Sequence, residues 1–251
     1  MNKILVGVTI AIALVLGAIY FLQKEEVSPI GGDRDEHGCL VAAGYAFDEE
    51  VGACIRAFEM TSDIKQAAAR AVEHAGSGYA LTVASFNSYE EAGSYDIMLE
   101  RGEERTKETI YIRQGNIVEP QRVQLYYYSE EKDRDAEGNI QCTKEGLVVV
   151  ERTIPPTQTP LKEAIELLLE GTLTAEERAQ GITTEFPLEG VVLTSASITD
   201  GVATLTFDDP QNKTGGGSCR VSVLWAQIEA TAKQFQTVQS VRFMPEELFQ
   251  P

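Results

Sequence analysis

The chain has 251 residues, of which 43% are apolar, and its 39 acidic and 21 basic side chains give a formal net charge of -18. A chain of this length and apolar content can bury two small hydrophobic cores, and its acidic surface repels phosphate backbones, which argues against nucleic acid as a partner. With two histidines, four cysteines, no Cys-x-x-Cys pair and no His-Glu-x-x-His motif, a metal or redox centre is not expected, and no cofactor is predicted.

The first recognisable segment is a run of 19 uncharged residues at positions 4–22. As a helix it is about 28 Å long, close to the hydrocarbon thickness of a bilayer. We therefore expect residues 1–26 to form a single-pass membrane anchor, with Lys3 on the inner side and the rest of the chain outside. A cleaved signal peptide is the alternative, although no clear small-x-small cleavage site follows the run.

Residues 27–119 are predicted to form a small α+β domain. Cys39 and Cys54 flank a segment typical of a hairpin, and outside the cytoplasm so close a pair is most simply a disulfide; two free core thiols are the alternative. An Ala-rich helix is expected at 61–74. Three runs rich in β-branched and aromatic residues predict a mostly antiparallel sheet, at 80–86, 95–100 and 109–113.

The second domain, residues 120–251, opens with two predicted strands joined by a charged hairpin, residues 129–144. The hairpin contains four oxygen-bearing residues at the spacing of an EF-hand calcium loop, namely Asp133, Asp135, Glu137 and Asn139. The twelfth position, which needs a bidentate carboxylate, is Lys144, and both flanks are strand-like. A solvated hairpin tip is therefore the favoured interpretation, with a calcium site as the alternative.

Capping signals predict the helices of this domain. Thr159 is suited to an N-cap and Pro160 to the first helical position, while Gly171 is a left-handed stop. Thr174 and Glu177 have the spacing of a capping box.

The remaining elements are a hairpin, a long helix and a final strand. Asp200-Gly201 is typical of a type I′ turn between two strands. Ser218 is suited to the N-cap of the long helix. Apolar residues then recur at helical spacing and predict the face that packs on a sheet, namely Val221, Leu224, Trp225, Ile228, Ala232 and Phe235.

These motifs together resemble the sporulation and spore germination (GerMN) domain over about residues 122–248. The resemblance rests on the helix that starts at Pro160, the turn at Gly181, the Asp200-Gly201 hairpin, the glycine-rich loop 215–218 and the helix and strand that follow it. It implies a non-catalytic, extracytoplasmic, membrane-tethered binding or assembly domain. The long charged hairpin and the pair Cys142 and Cys219 depart from the family pattern.

Two further features of this domain have competing interpretations. The loop before the long helix could expose backbone N–H groups to an anion, with Gly216, Gly217, Ser218 and Arg220 as candidates; it lacks the lysine of a phosphate-binding loop, and a flexible helix entry is the simpler interpretation. Cys142 and Cys219 are expected to form a second disulfide.

The sequence therefore favours an α+β, membrane-anchored extracytoplasmic binding or assembly protein of the cell envelope, with an envelope protein as its partner and no enzymatic activity. The alternative is a small-ligand sensor or an envelope hydrolase with a cleft between the domains. A cleft lined by Arg122, Arg152 and Arg220 would favour the sensor. A serine or cysteine near His37 or His74 would favour the hydrolase.

Overall fold

A computed structural model describes residues 32–102 and 104–250, and the chain divides into two compact units between Ile117 and Val118. The predicted anchor at 4–22 lies outside the described residues. Within the described ranges, no helix is long and apolar enough to cross a membrane.

Among its described residues, the first unit has one α-helix and a six-stranded sheet. Its strands are adjacent in chain order: β1 (Ala46–Asp48), β2 (Ala53–Ile55), β3 (Thr82–Ser88), β4 (Tyr95–Arg101), β5 (Thr106–Arg113) and β6 (Asn116–Val118). Helix α1 (Ser62–Ala75) connects β2 to β3, and these two strands are parallel. The pairs β1–β2, β3–β4 and β4–β5 are antiparallel, so the sheet is mostly antiparallel, as predicted.

Small side chains let α1 lie close to this sheet. Ala67, Ala68 and Ala71 are buried on its inner face, where they pack with β4 and β5 residues such as Ile97 and Ile110. The hydroxyl of Thr61 accepts a hydrogen bond from the Ile64 N–H and caps the helix.

The second unit contains two sheets. Strands β7 (Gln121–Tyr128) and β8 (Leu147–Ile154) form an antiparallel pair. Strands β9 (Val192–Thr199), β10 (Val202–Asp208) and β11 (Ser240–Met244) form a three-stranded sheet in the order β11-β10-β9, in which β10 and β11 are parallel. The helices are α2 (Pro160–Leu169), α3 (Ala175–Ala179) and α4 (Ser218–Lys233).

One hydrophobic core holds this unit together. Helices α2 and α4 contribute Ile165, Leu168, Leu224 and Ile228, which are buried with residues from both sheets. The ring of Trp225 meets Phe243 of β11 edge-on, with centroids 4.4 Å apart. The predicted apolar face of the long helix is therefore the face that packs in the core.

Several predicted turn signals have the expected geometry. Asp200 and Gly201 both have left-handed φ values of 50° and 81°, which a type I′ turn requires. Gly171 has φ +63°, and a Cβ there would collide with the backbone carbonyl of Phe186. Only glycine allows the chain to pass so closely at the end of α2.

One predicted cap is wrong by one residue. Ser218 is the first residue of α4 rather than its cap; the N-cap is Gly217, which makes no side-chain hydrogen bond. Thr159 is the N-cap residue of α2, as predicted, although its hydroxyl lies 3.2 Å from that of Thr157 and makes no capping hydrogen bond. Because glycine has no side chain, the start of α4 keeps its backbone donors open.

Candidate functional site

The edge of β7 that faces away from β8 is covered by polar side chains of α4. Gln234, the C-cap residue of this helix, accepts a hydrogen bond from the Gln124 N–H and donates one to the Gln124 carbonyl, both at 2.7 Å. One turn earlier, the Thr231 hydroxyl accepts from the Tyr126 N–H at 3.1 Å. These bonds satisfy backbone groups that a strand edge otherwise leaves open.

The next residue in this series, Gln227, has no such partner. It is only 1% exposed, its Nε2 donates to the Val223 carbonyl at 3.4 Å, and its Oε1 accepts no hydrogen bond from any residue that the structure describes. The backbone that it would reach is occupied, because Tyr128 exchanges both of its backbone hydrogen bonds with Thr183, at 3.3 and 2.7 Å. A buried oxygen left in this state costs about 1–3 kcal/mol.

Gln227 lines a cavity of about 560 Å³, a volume within the usual range of small-ligand sites. One side of the cavity is a face of α4 formed by Arg220, Val223, Leu224 and Gln227. The opposite side consists of residues 183–185 and of the charged hairpin, including Ile140.

The start of α4 forms one end of this cavity. The first three N–H groups of α4, those of Ser218, Cys219 and Arg220, have no hydrogen-bond acceptor among the described residues. Open N–H groups at a helix N-terminus attract negative charge, and the helix dipole adds to the attraction. This end of the cavity therefore suits an anionic group.

The residues predicted to bind an anion lie at or beside this end of the cavity, although the Arg220 side chain is bonded to other protein groups. Gly217, Ser218 and Arg220 line the cavity, and Gly216 packs beside the Arg220 side chain. The Arg220 guanidinium donates from Nε to Glu185 at 2.5 Å, and from Nη1 to the carbonyls of Lys213 and Gly215. The Arg220 side chain thus links the glycine-rich loop to Glu185 on the other side of the cavity.

The charged hairpin is anchored by a buried aspartate. Asp133 is 3% exposed and accepts hydrogen bonds from the Tyr128 hydroxyl and from the N–H and hydroxyl of Thr143. Burial alone raises the pKa of this carboxyl, but the hydrogen bonds from Thr143 and Tyr128 outweigh it and hold the pKa below its usual range.

The other calcium candidates lie in an exposed turn. The Asp135 carboxylate accepts from the N–H groups of Glu137 and Asn139, at 3.1 and 2.7 Å, and from the Gln141 amide at 2.7 Å. Across residues 32–102 and 104–250, no group of three or more His, Cys, Asp or Glu side chains is arranged to hold a metal ion. These hydrogen bonds show that the Asp135 carboxylate stabilises the turn of the hairpin itself.

A disulfide and an ion pair tie this hairpin to α4. Cys142 and Cys219 are bonded, with Cα atoms 5.2 Å apart, and Lys144 contacts Glu229 at 2.5 Å. The cavity therefore has a covalently fixed wall. In the first unit, Cys39 and Cys54 form the second disulfide, with Cα atoms 5.4 Å apart.

The residues of the alternative hypotheses do not gather around a reactive group. Arg152 forms a bidentate ion pair with Glu177, with both distances 2.7 Å, and this hydrogen bonding lowers the pKa of Glu177 to about 2. Arg122 is exposed on β7. The ring of His37 stacks on Phe47 with centroids 4.0 Å apart. All four cysteines are in disulfides.

Sequence reasoning missed Gln227. The available signal was the polar residue Gln227 between Leu224 and Ile228, at helical spacing from Thr231 and Gln234. Its lack of a partner depends on the pairing of Tyr128 with Thr183, 55 residues apart, and no local pattern shows that pairing.

Together, the two packed sheets and the helices define the second unit as an α+β domain with a disulfide-fixed cavity beside α4. Residues 124–247 match the model of the Germane family, described as sporulation and spore germination. This region of the chain belongs to that family.

Solved structures with similarity include the first GerMN domain of the sporulation protein GerM from Bacillus subtilis, with 17% identity over 49% of this chain and 80% of that one, and a TM-score of 0.35. The tandem GerMN domains of the same protein give 22% identity, with 53% of this chain and 44% of that one covered, and a TM-score of 0.36. This chain therefore spans less than half of the tandem structure.

A third similar structure is a putative lipoprotein from Clostridium perfringens, with 15% identity, 49% of this chain and 73% of that one covered, and a TM-score of 0.26. A search among curated proteins finds no significant match. The family description and the three structure titles name no enzymatic activity.

Proposed function

We propose that this protein is a membrane-anchored, extracytoplasmic binding protein of the cell envelope, with a role in sporulation or germination. The observation that carries the proposal is the pairing of all four cysteines in two disulfides. Disulfides persist in oxidising compartments outside the cytoplasm and are rare within it.

The sequence supplies the proposed anchor. Residues 4–22 contain no charge and have the length that a helix needs to cross a bilayer. With the N-terminus inside, both disulfide-containing units lie on the outer side. The family match over residues 124–247 supports the link to sporulation or germination.

The cavity beside α4 supports binding rather than catalysis. It combines open backbone donors, an apolar wall and one unpartnered amide oxygen, which are groups that recognise a ligand. The net charge of -18 disfavours polyanionic partners, so an envelope protein or a peptide is the proposed partner.

A topology experiment tests the location. The full chain with a C-terminal tag is expressed in bacterial cells, and protease is added to spheroplasts without lysis. We expect loss of the tagged region, fractionation of the intact protein with membranes, and two disulfides by non-reducing mass spectrometry after rapid alkylation. A protected tag together with four alkylated cysteines would show the location to be wrong.

A pull-down tests the binding role. The full chain is crosslinked in membranes and captured by its tag, with a matched variant in which residues 4–22 are replaced by an unrelated transmembrane segment. We expect both to recover the same envelope partner, because recognition lies in the folded units. Recovery by neither, combined with turnover of an acyl or glycosyl substrate, would support the hydrolase instead.

A further inference from the structure

We propose that the cavity beside α4 binds the free carboxyl terminus of a peptide, with three to four residues inserted along the helix. This inference rests on the proposed binding function and names its ligand class. Three features of the cavity define the ligand: an anion-binding end, an apolar middle and a buried acceptor at the far end.

The anion-binding end is the start of α4. The N–H groups of Ser218, Cys219 and Arg220 have no acceptor among the described residues, and Gly217 contributes no capping oxygen that would compete with a carboxylate for them. Capture of a terminal carboxylate by backbone N–H groups is a recurring mode of peptide recognition.

The far end is Gln227, whose buried Oε1 lacks a donor. Gln227 lies eight positions after Cys219, which corresponds to about 12 Å along a helix. An extended peptide covers that distance in three to four residues. A backbone N–H at that depth would supply the hydrogen bond that Tyr128 cannot give, because Tyr128 is paired with Thr183.

The middle of the cavity selects apolar side chains. Val223 and Leu224 of α4 lie on one side and Ile140 of the hairpin on the other. Apolar residues near the carboxyl terminus of the peptide would be removed from water here, at about 25 cal/mol per Å² of buried surface.

The rim limits the charge of the ligand. Glu130 and Glu185 line the cavity; Glu130 lies 3.6 Å from Arg134, and Glu185 lies 2.5 Å from Arg220. Each acidic group is thus balanced by a guanidinium, which lets a single carboxylate enter. A phosphate or dicarboxylate would meet both carboxylates in a chain that carries a charge of -18.

Fluorescence anisotropy with the full chain in detergent tests the proposal. The probe is a fluorescein-labelled hexapeptide that ends in Ala-Val-Leu with a free carboxylate, compared with the same peptide ending in a carboxamide. We expect the amide to bind at least tenfold more weakly, since it loses the charge that the helix start attracts. A labelled tripeptide distinguishes the sources: equal affinity indicates a free short peptide, and weaker affinity indicates the tail of a protein.

Two variants of one helix provide a matched control. Gln227→Leu should weaken binding of the free-acid peptide at least tenfold while the Tm stays constant or rises, because the substitution removes a buried oxygen without a partner. Gln234→Leu should lower the Tm, because Gln234 satisfies the backbone of Gln124, but it should leave the preference for acid over amide intact.

The results that would overturn the proposal are specific. They are no peptide binding, equal affinity for acid and amide, unchanged affinity in the Gln227→Leu variant, or displacement of the peptide by inorganic phosphate at equal concentration. None of them affects the topology experiment, so failure of the ligand assignment is distinguishable from failure of the proposed location.

Discussion

Each unit contains one disulfide, and the two disulfides connect different kinds of segments. In the first unit, Cys39 and Cys54 are 15 residues apart and close a local loop beside the β1–β2 hairpin. In the second, Cys142 and Cys219 are 77 residues apart and join a hairpin to the start of a helix. The first bond stabilises a segment that is already local. The second positions two distant elements at the wall of a cavity.

The two hairpins repeat this contrast with aspartates. Asp48 accepts hydrogen bonds from the Glu50 and Val51 N–H groups and pairs with Lys65 at 2.9 Å, at a partly exposed site. Asp133 is buried and its contacts fix the root of the charged hairpin. We therefore expect loss of the disulfide or of the aspartate to lower the free energy of unfolding more in the second unit than in the first. Trp225 is the only tryptophan of the chain, and its fluorescence reports this unit alone.

The largest effect should follow removal of the Cys142–Cys219 disulfide. Chain-entropy arguments for a loop of 77 residues predict a loss of about 4.5 kcal/mol in unfolding free energy for the Cys142→Ser/Cys219→Ser variant. The measurement is urea denaturation followed by Trp225 fluorescence. A loss under about 1 kcal/mol would mean that the hairpin holds its position without the bond.

Removal of the Cys39–Cys54 disulfide should have a smaller, separate effect. A loop of 15 residues predicts about 3 kcal/mol, and we expect it in the first unit only. Far-ultraviolet circular dichroism should show an earlier transition in the Cys39→Ser/Cys54→Ser variant, with the Trp225 transition unchanged. A shift in the fluorescence midpoint would contradict the expectation that this disulfide stabilises the first unit only.

Substitution of the aspartate in the second unit should cost more stability than substitution of the aspartate in the first unit. Asp133→Asn should cost about 2–3 kcal/mol, because a charged acceptor of several buried hydrogen bonds is lost. Asp48→Asn should cost about 0.5 kcal/mol, since an amide oxygen can still accept the turn N–H groups and a partly exposed ion pair contributes little. Urea titrations of both variants test the ranking, and equal losses would remove the distinction.

An effect smaller than that of Asp133→Asn concerns Glu177 and depends on pH. Its pKa is lowered to about 2 in the folded state, so the stability that it provides is complete above its ordinary pKa near 4.3 and is lost as the pH falls toward 2. Glu177→Gln should therefore be less stable than the parent chain by about 1–2 kcal/mol at pH 7, and the gap should narrow at pH 3. A constant gap between these pH values would show that the pKa is not lowered.

The sequence was most informative where one residue determines the local backbone. Gly171, Asp200-Gly201 and the Thr174–Glu177 capping box have their predicted roles, because φ angles and local hydrogen bonds depend on near neighbours. The helices, strands and overall α+β class follow from the same signals. The predicted N-cap of α4 was one residue too late, since both Gly217 and Ser218 are suited to an N-cap.

The candidate site was only partly predictable. The glycine-rich loop and the cysteine pair were visible as patterns, and the structure places Gly217, Ser218 and Cys219 at the cavity. The calcium spacing was visible too, but Asp133 turns inward to Tyr128, a contact that depends on the return of the hairpin. Gln227 became apparent only from tertiary pairing. The anchor at 4–22 and the location outside the cytoplasm remain predictions.

The way in which α4 covers β7 has a consequence for self-association. Sheet edges with a row of free backbone groups are templates on which other chains add strands, leading to fibres. Here a glutamine and a threonine of a helix occupy the backbone of Gln124 and Tyr126, so the strand ends its sheet without a further strand. A second copy of the protein cannot extend this sheet at β7 unless α4 first detaches.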